Sequence, residues 1–209
     1  GDVYKRQVNI GIHTFDHADI YGGYTTEKSF GEAFKKSCLP REKVQFITKC
    51  GIQIPCEARP VQVKHYDYTT SHIQASVDNS LKNLNTEYLD LLLLHRPSPL
   101  IDEKIINDII KKLQREGKVK QFGVSNFTSS QMDLIQQNMR LAWNQIECSL
   151  THEEPMFNGN LDRMKICGIG AMAWSPLGTY FKDNSSKKKR IKKVLLPLCQ
   201  KYESSEDQI

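Results

Sequence analysis

The chain predicts an α/β fold built on a parallel sheet. Apolar segments of strand length alternate with amphipathic segments of helix length along most of its 209 residues, the pattern of strands joined by helical crossovers. A second observation concerns where those strands stop. Three apolar runs end in polar residues: Thr14-Phe15-Asp16, Phe46-Ile47-Thr48-Lys49 and Leu91-Leu92-Leu93-Leu94-His95. In a barrel of alternating strands and helices the strand C-termini converge on one mouth, so Asp16, Tyr21, Lys49 and His95 are candidates for a single site.

The elements follow in order. After the strand ending at Asp16, residues 27–37 carry Phe30, Ala33 and Phe34 at helical spacing, and 44–49 is the next strand. Residues 70–84 set Ile73, Val77, Leu81 and Leu84 on one helix face, with Thr69 to Ser71 as N-cap candidates. The run 89–94, apolar but for Asp90, reads as a strand buried on both faces. Ile105, Ile106, Ile109, Ile110 and Leu113 mark a helix over 102–116 that Gly117 can terminate. A strand at 119–124 ends in Ser125-Asn126. A helix at 129–137, a strand at 142–148, a weaker helix at 158–166 and a strand at 170–174 come next, and a basic helix at 187–202 is last.

That is about six strand–helix units, two short of an eight-stranded barrel. The residues alone leave two solutions, an open doubly wound sheet or a (β/α)8 TIM barrel that is incomplete. An open sheet usually carries a glycine-rich dinucleotide fingerprint after its first strand. None is present, nor is a phosphate-binding P-loop. Gly168-Ile169-Gly170 precedes a strand and reads as a turn.

Composition bounds the function classes. With 39% hydrophobic and 25% charged residues and a formal net charge of +5, the chain reads as an ordinary globular protein. No apolar run approaches the roughly 20 residues that span a bilayer, and the first seven residues lack a signal-peptide core. A cytoplasmic setting is expected, with no membrane partner. Cys38, Cys50, Cys56, Cys148, Cys167 and Cys199 form no C-x-x-C pair and no zinc-finger spacing with histidine. They read as reduced, mostly buried small hydrophobes, and no metal site is expected. The run Lys187-Lys188-Lys189-Arg190-Ile191-Lys192-Lys193 is the solvated start of an amphipathic helix, so no nucleic-acid partner is expected either.

The four candidate residues suit one kind of chemistry. A tyrosine, with an ordinary pKa of about 10, is a reluctant proton donor at neutral pH. A lysine ammonium beside a tyrosine favours the phenolate, and a carboxylate keeps that lysine charged and in place. A histidine in reach of the same point orients a carbonyl or helps relay its proton. Such a site delivers a proton without its own nucleophile or metal. It fits carbonyl reduction, in which a cofactor supplies hydride.

Five ordered segments make the chain recognisable. Phe15-Asp16-His17-Ala18-Asp19-Ile20-Tyr21-Gly22, Thr48-Lys49-Cys50-Gly51, Leu93-Leu94-His95-Arg96-Pro97, Gly123-Val124-Ser125-Asn126-Phe127 and Trp174-Ser175-Pro176-Leu177-Gly178 resemble, in order, segments of the aldo-keto reductases, most like the bacterial YdhF-type oxidoreductases. The resemblance implies a (β/α)8 barrel that reduces aldehydes or ketones to alcohols, with Asp16, Tyr21, Lys49 and His95 catalytic and Tyr21 the proton donor. It implies NADPH as cofactor, with NADH as the alternative, and a small-molecule carbonyl as substrate. It further implies that Ser125, Asn126 and Gln145 bond the nicotinamide carboxamide, that Trp174 stacks on the ring, and that Ser175 and Leu177 line the pyrophosphate. Oligomeric state is not implied.

Residues 1–7 do not resemble the family and read as a leader left by sequence assembly, with 8–209 a partial barrel. The first and eighth barrel strands are expected to be missing, and a fragment of this kind to be inactive. Asp19 and Tyr24 share the chemistry of Asp16 and Tyr21 but miss the family spacing, and read as loop or substrate-pocket residues. Arg96 reads as a contact for an anionic substrate or a surface salt bridge. The same barrel and tetrad occur in potassium-channel β subunits, so a cofactor-binding regulatory or redox-sensor subunit is the alternative.

Overall fold

A computed structural model describes residues 2–57, 59–182 and 184–209. They fall into two compact units that meet in sequence between Asn144 and Gln145, and each is described by itself. The first unit runs α1 (Asp2–Asn9), β1 (Thr14–Asp16), α2 (Thr26–Ser37), β2 (Gln45–Cys50), β3 (Ile52–Gln53), β4 (His65–Tyr66), α3 (Thr70–Leu84), β5 (Leu89–Leu94), α4 (Glu103–Arg115), β6 (Val119–Ser125) and α5 (Ser129–Gln136). The strand β7 (Trp143–Glu147) begins in it. The second unit adds α6 (Asn160–Cys167), β8 (Gly170–Trp174) and α7 (Ser186–Tyr202).

In the first unit the long strands lie in the order β1-β2-β5-β6, all parallel. Asp16 pairs with Ile47, Lys49 with Leu93 and Leu94 with Val124. This register brings the C-terminal ends of four strands to one edge, where Asp16, Lys49, His95 and Ser125 stand. The leucine run is buried on both faces as expected, Leu91 to Leu94 being no more than 3% exposed. Burying each such side chain contributes roughly 1.5–3 kcal/mol.

The helices cover one face of the sheet. Phe15, Phe30, Phe34 and Phe46 pack edge-on or stacked between β1, β2 and α2, with centroids between 5.0 and 6.4 Å apart. Tyr4 of α1 joins them, 5.7 Å from Phe15 and 4.9 Å from Phe30, so the segment that reads as a leader folds against this cluster. Gly31 sets how close α2 comes to α3: a Cβ there would lie 2.1 Å from the Asn83 carbonyl oxygen. Thr69 caps α3, accepting from the His72 N–H, as its position suggested.

Two features differ from the sequence reading. The antiparallel pair β3–β4 has two residues per strand, too short for any periodicity. The cysteines are all free, but only Cys50 is buried. Cys38 is exposed because it takes the left-handed position that ends α2, at φ 55°. Among the described residues no helix is long and apolar enough to cross a membrane.

Candidate active site

Side chains alternate between the two faces of a strand, and β2 uses both. Thr48 turns toward α2, where its hydroxyl donates to the Glu27 carboxyl at 2.6 Å. Lys49 therefore stands on the opposite face, only 1% exposed. Its ammonium donates to both Asp16 oxygens at 2.9 and 2.8 Å and to the His17 carbonyl at 2.8 Å. Tyr21 Oη lies 3.3 Å from the same nitrogen. An ammonium has three protons, so four acceptors compete for them, and the longest contact is the one to Tyr21.

Tyr21 is 38% exposed, open to a ligand, and Asp16 is exposed too, while the Lys49 ammonium they share is buried. His95 continues the β2–β5 ladder with its N–H on the Cys50 carbonyl at 2.9 Å, and its ring stands 5.9 Å from the Tyr21 ring at 77°. The structure thus brings Asp16, Tyr21, Lys49 and His95 together. Burial, then the positive charges of Lys49, Arg96 and Lys64, hold the His95 pKa down to about 3. It is a neutral imidazole at physiological pH, with Nδ1 buried and unpartnered. His17 is likewise lowered to about 4, by burial above all, with its ring 4.3 Å from Phe30.

The rival residues separate from this group. Tyr24 Oη donates to the Ile52 carbonyl at 3.4 Å and accepts from the Ile54 N–H at 3.2 Å, so it braces the chain after β2. Asp19 is buried, its Oδ2 accepting from Ser76 of α3 at 2.8 Å. Asp19 lies in the turn after β1, as the loop reading has it, and its carboxyl is bonded by α3. Arg96 is half-buried; Tyr68 Oη bonds its carbonyl and accepts its N–H at 3.2 Å. Tyr68 was not singled out in sequence. The available signal was Gly51, whose φ of +106° and missing Cβ make room for the Tyr68 ring.

In the first unit, Ser125 ends β6 almost wholly buried, and Asn126 follows at φ 61°, its Nδ2 donating to Ser125 Oγ at 2.8 Å. The helix behind them is capped by Thr128 in a capping box with Gln131, which leaves Ser125 and Asn126 outside the cap. In the second unit, Gln145 is buried on β7, with Nε2 3.1 Å from Met172 Sδ. Trp174 ends β8, Ser175 turns the chain at φ 49°, and Leu177 is exposed.

Sheet, strand-end site and chain comparison agree on a class. The aldo/keto reductase family matches residues 2–204, and the chain belongs to it. It is 45% identical over 193 residues to the uncharacterized oxidoreductase YcsN of Bacillus subtilis, covering 90% of this chain and 64% of that one. It is 44% identical to oxidoreductase YdhF of Escherichia coli (83% and 59%) and 46% identical to the 6-dehydroglucose reductase of Agrobacterium fabrum (80% and 58%). The chain thus spans about three-fifths of the length of these relatives. Among solved structures, the thermostable aldo-keto reductase Tm1743 in complex with epalrestat superimposes with a TM-score of 0.80 at 24% identity, over 98% of this chain and 68% of that one. The Klebsiella pneumoniae aldo/keto reductase in complex with NADP and acetate gives 0.76 at 20%, over 99% and 67%. At such identities these two carry the fold alone, an incomplete (β/α)8 barrel.

Proposed function

We infer that this protein is a cytoplasmic oxidoreductase that reduces aldehydes or ketones to alcohols with a nicotinamide cofactor, NADPH before NADH, and that Tyr21 donates the proton. The observation that carries this is the Lys49 ammonium, buried, fixed by Asp16 and 3.3 Å from the exposed Tyr21 hydroxyl. When bound, the reduced nicotinamide supplies hydride to the carbonyl carbon. The rest belongs to the chain's own residues. Tyr21 Oη gives its proton to the carbonyl oxygen, and the phenolate left behind faces the Lys49 charge. Asp16 keeps Lys49 aimed at that point. His95, being neutral, orients the carbonyl by hydrogen bonding and is not the acid.

The chemistry of single residues supports a nicotinamide cofactor. In the first unit Ser125 and Asn126 offer a hydroxyl and an amide, and in the second Gln145 offers an amide, donors and acceptors of the kind a carboxamide takes. Asn126 and Ser175, at the ends of their strands, take left-handed backbone conformations, which non-glycine residues hold at some cost and which cluster at ligand sites. Trp174 supplies a flat face for a flat ring, and Ser175 and Leu177 are assigned to the pyrophosphate. The relative named 6-dehydroglucose reductase makes oxidised sugars the first carbonyls to try.

The test is oxidation of NADPH by the full-length parent protein against aldehydes, ketones, quinones and oxidised sugars, with tryptophan fluorescence followed during cofactor binding. Turnover with at least one class is expected, as is quenching that is lost in Trp174→Ala together with about 1 kcal/mol or more of binding. Tight cofactor retention with no turnover on any carbonyl would sink the reading and favour a sensor.

A further inference from the structure

Behind β2, away from the tetrad, two buried carboxyl groups face α3. Ser76 and Ser80 lie four residues apart on that helix, on one face. Ser76 donates to Asp19 at 2.8 Å and Ser80 to Glu27 at 3.1 Å. Proton delivery by Tyr21 has no use for either carboxyl, yet both are among the most buried polar groups of the chain.

Asp19 occupies a particular point. The turn that carries Tyr21 is closed by the Tyr21 N–H on the Ala18 carbonyl at 3.1 Å, which makes Asp19 its first central residue. The Asp19 N–H donates to the carbonyl of Lys49 itself at 3.0 Å. One residue thus links the catalytic tyrosine's turn, by its main chain, to the catalytic lysine and, by its side chain, to a helix.

We propose that Asp19 is a positioning residue, whose carboxyl, latched to Ser76, fixes the turn that keeps Tyr21 Oη within reach of Lys49. The inference rests on the proposed carbonyl reduction for its kinetic consequence, not for its geometry. Asp19 Oδ2 accepts the Ser76 hydroxyl, while Oδ1 is buried and bonds no other side chain. Burial above all, with Glu27 beside it and opposed by the hydrogen bonds from Ser76 and the Ile20 backbone and by the Arg59 charge, raises the Asp19 pKa to about 7. The groups facing it are Glu27 from α2, Ser76 from α3, Cys50 from β2, and Arg59, Tyr24 and Tyr68 from the surrounding loops. The Ser76 hydroxyl donates to Asp19 in either protonation state, and more strongly to the carboxylate, so the latch holds across neutral pH.

The full chain, with Asp19→Ala and Asp19→Asn, decides this in two measurements. In steady-state NADPH oxidation, Asp19→Ala is expected to lower kcat by about tenfold or more while KM stays within about twofold, since a displaced proton donor slows chemistry without weakening binding. Asp19→Asn, which keeps an oxygen able to accept from Ser76, restores most of kcat. Amide hydrogen exchange at Tyr21 needs no substrate: Asp19→Ala speeds it by about tenfold, and Asp19→Asn does not. Equal kcat in parent and Asp19→Ala, no recovery of kcat in Asp19→Asn, or unaltered exchange at Tyr21 overturns the proposal. A parent that reduces no carbonyl while Tyr21 exchange responds as expected overturns the functional reading and leaves the positioning role standing.

Discussion

Two cations stand at opposite ends of β2, each paired with an aspartate and packed on aromatic rings. Arg41, just before the strand, directs four bonds at Thr86 Oγ1, the Val44 and Tyr88 carbonyls and Asp90 Oδ2, between 2.6 and 2.9 Å. Phe46 and Tyr88 sandwich its guanidinium at 4.0 and 4.1 Å. Asp90 is equally engaged, accepting from the Phe46 N–H and from Lys120 as well. At the other end Lys49 has more acceptors than protons, and its partners Asp16 and Tyr21 are open to solvent. The Arg41 end is a closed set of bonds that ties strands together. The Lys49 end keeps one contact that can be exchanged. In parallel α/β barrels the C-terminal end of the sheet carries the chemistry and the N-terminal end the stability, and here the difference is visible bond by bond.

Paired substitutions sharpen the contrast. Lys49→Met is expected to lower turnover by about 10²–10⁴, the range for losing an acid–base partner. Arg41→Met is expected to leave turnover within about threefold and to cost about 2–4 kcal/mol of stability, because Asp90 loses a partner in a partly buried place. Turnover assays and denaturant unfolding of both variants check this. Arg41→Met abolishing turnover in a chain that still folds would erase the distinction between the two ends.

A smaller effect separates the two ends by pH. His17, beside the tetrad, is held at about 4 in the folded chain against an ordinary 6.5. Between those values the unfolded chain binds a proton that the folded one refuses, so stability falls as pH drops from about 6.5 toward 4. Replacing the ring with a non-titrating one, His17→Phe, should shrink the loss of melting temperature over that interval, while Arg41→Met should leave its size unchanged. An identical acid loss in His17→Phe and the parent would remove His17 from the account.

How much of this was legible in sequence follows from what kind of signal each feature leaves. The strands over 89–94 and 170–174 and the helix over 70–84 are marked by runs or spacing longer than any competing pattern, and the structure has them at the same bounds. Asp16, Lys49 and His95 were legible because a polar residue closing an apolar strand is conspicuous, and Tyr21 because of its distance from Asp16. Asp19 reads as a loop residue and lies in the turn after β1, but its bond to Ser76 has no local signal in sequence. Ser76 and Ser80 are indistinguishable in sequence from surface serines. Arg41 follows a proline in what reads as a loop, and its partners lie 45 or more residues away in Thr86, Tyr88 and Asp90. Long-range pairing of that kind leaves no local trace.

The central claim is that the exposed tyrosine beside Lys49, and not its neighbour three residues on, gives the proton. Single-turnover hydride transfer in Tyr21→Phe and Tyr24→Phe, with cofactor binding measured in both, tests it most directly. Tyr21→Phe is expected to lose about 10²–10⁴ in rate with cofactor affinity nearly intact, and Tyr24→Phe to stay within about tenfold of the parent, since its hydroxyl is spent on bracing Ile52 and Ile54. Loss of hydride transfer in Tyr24→Phe with near-normal rates in Tyr21→Phe would contradict the assignment outright.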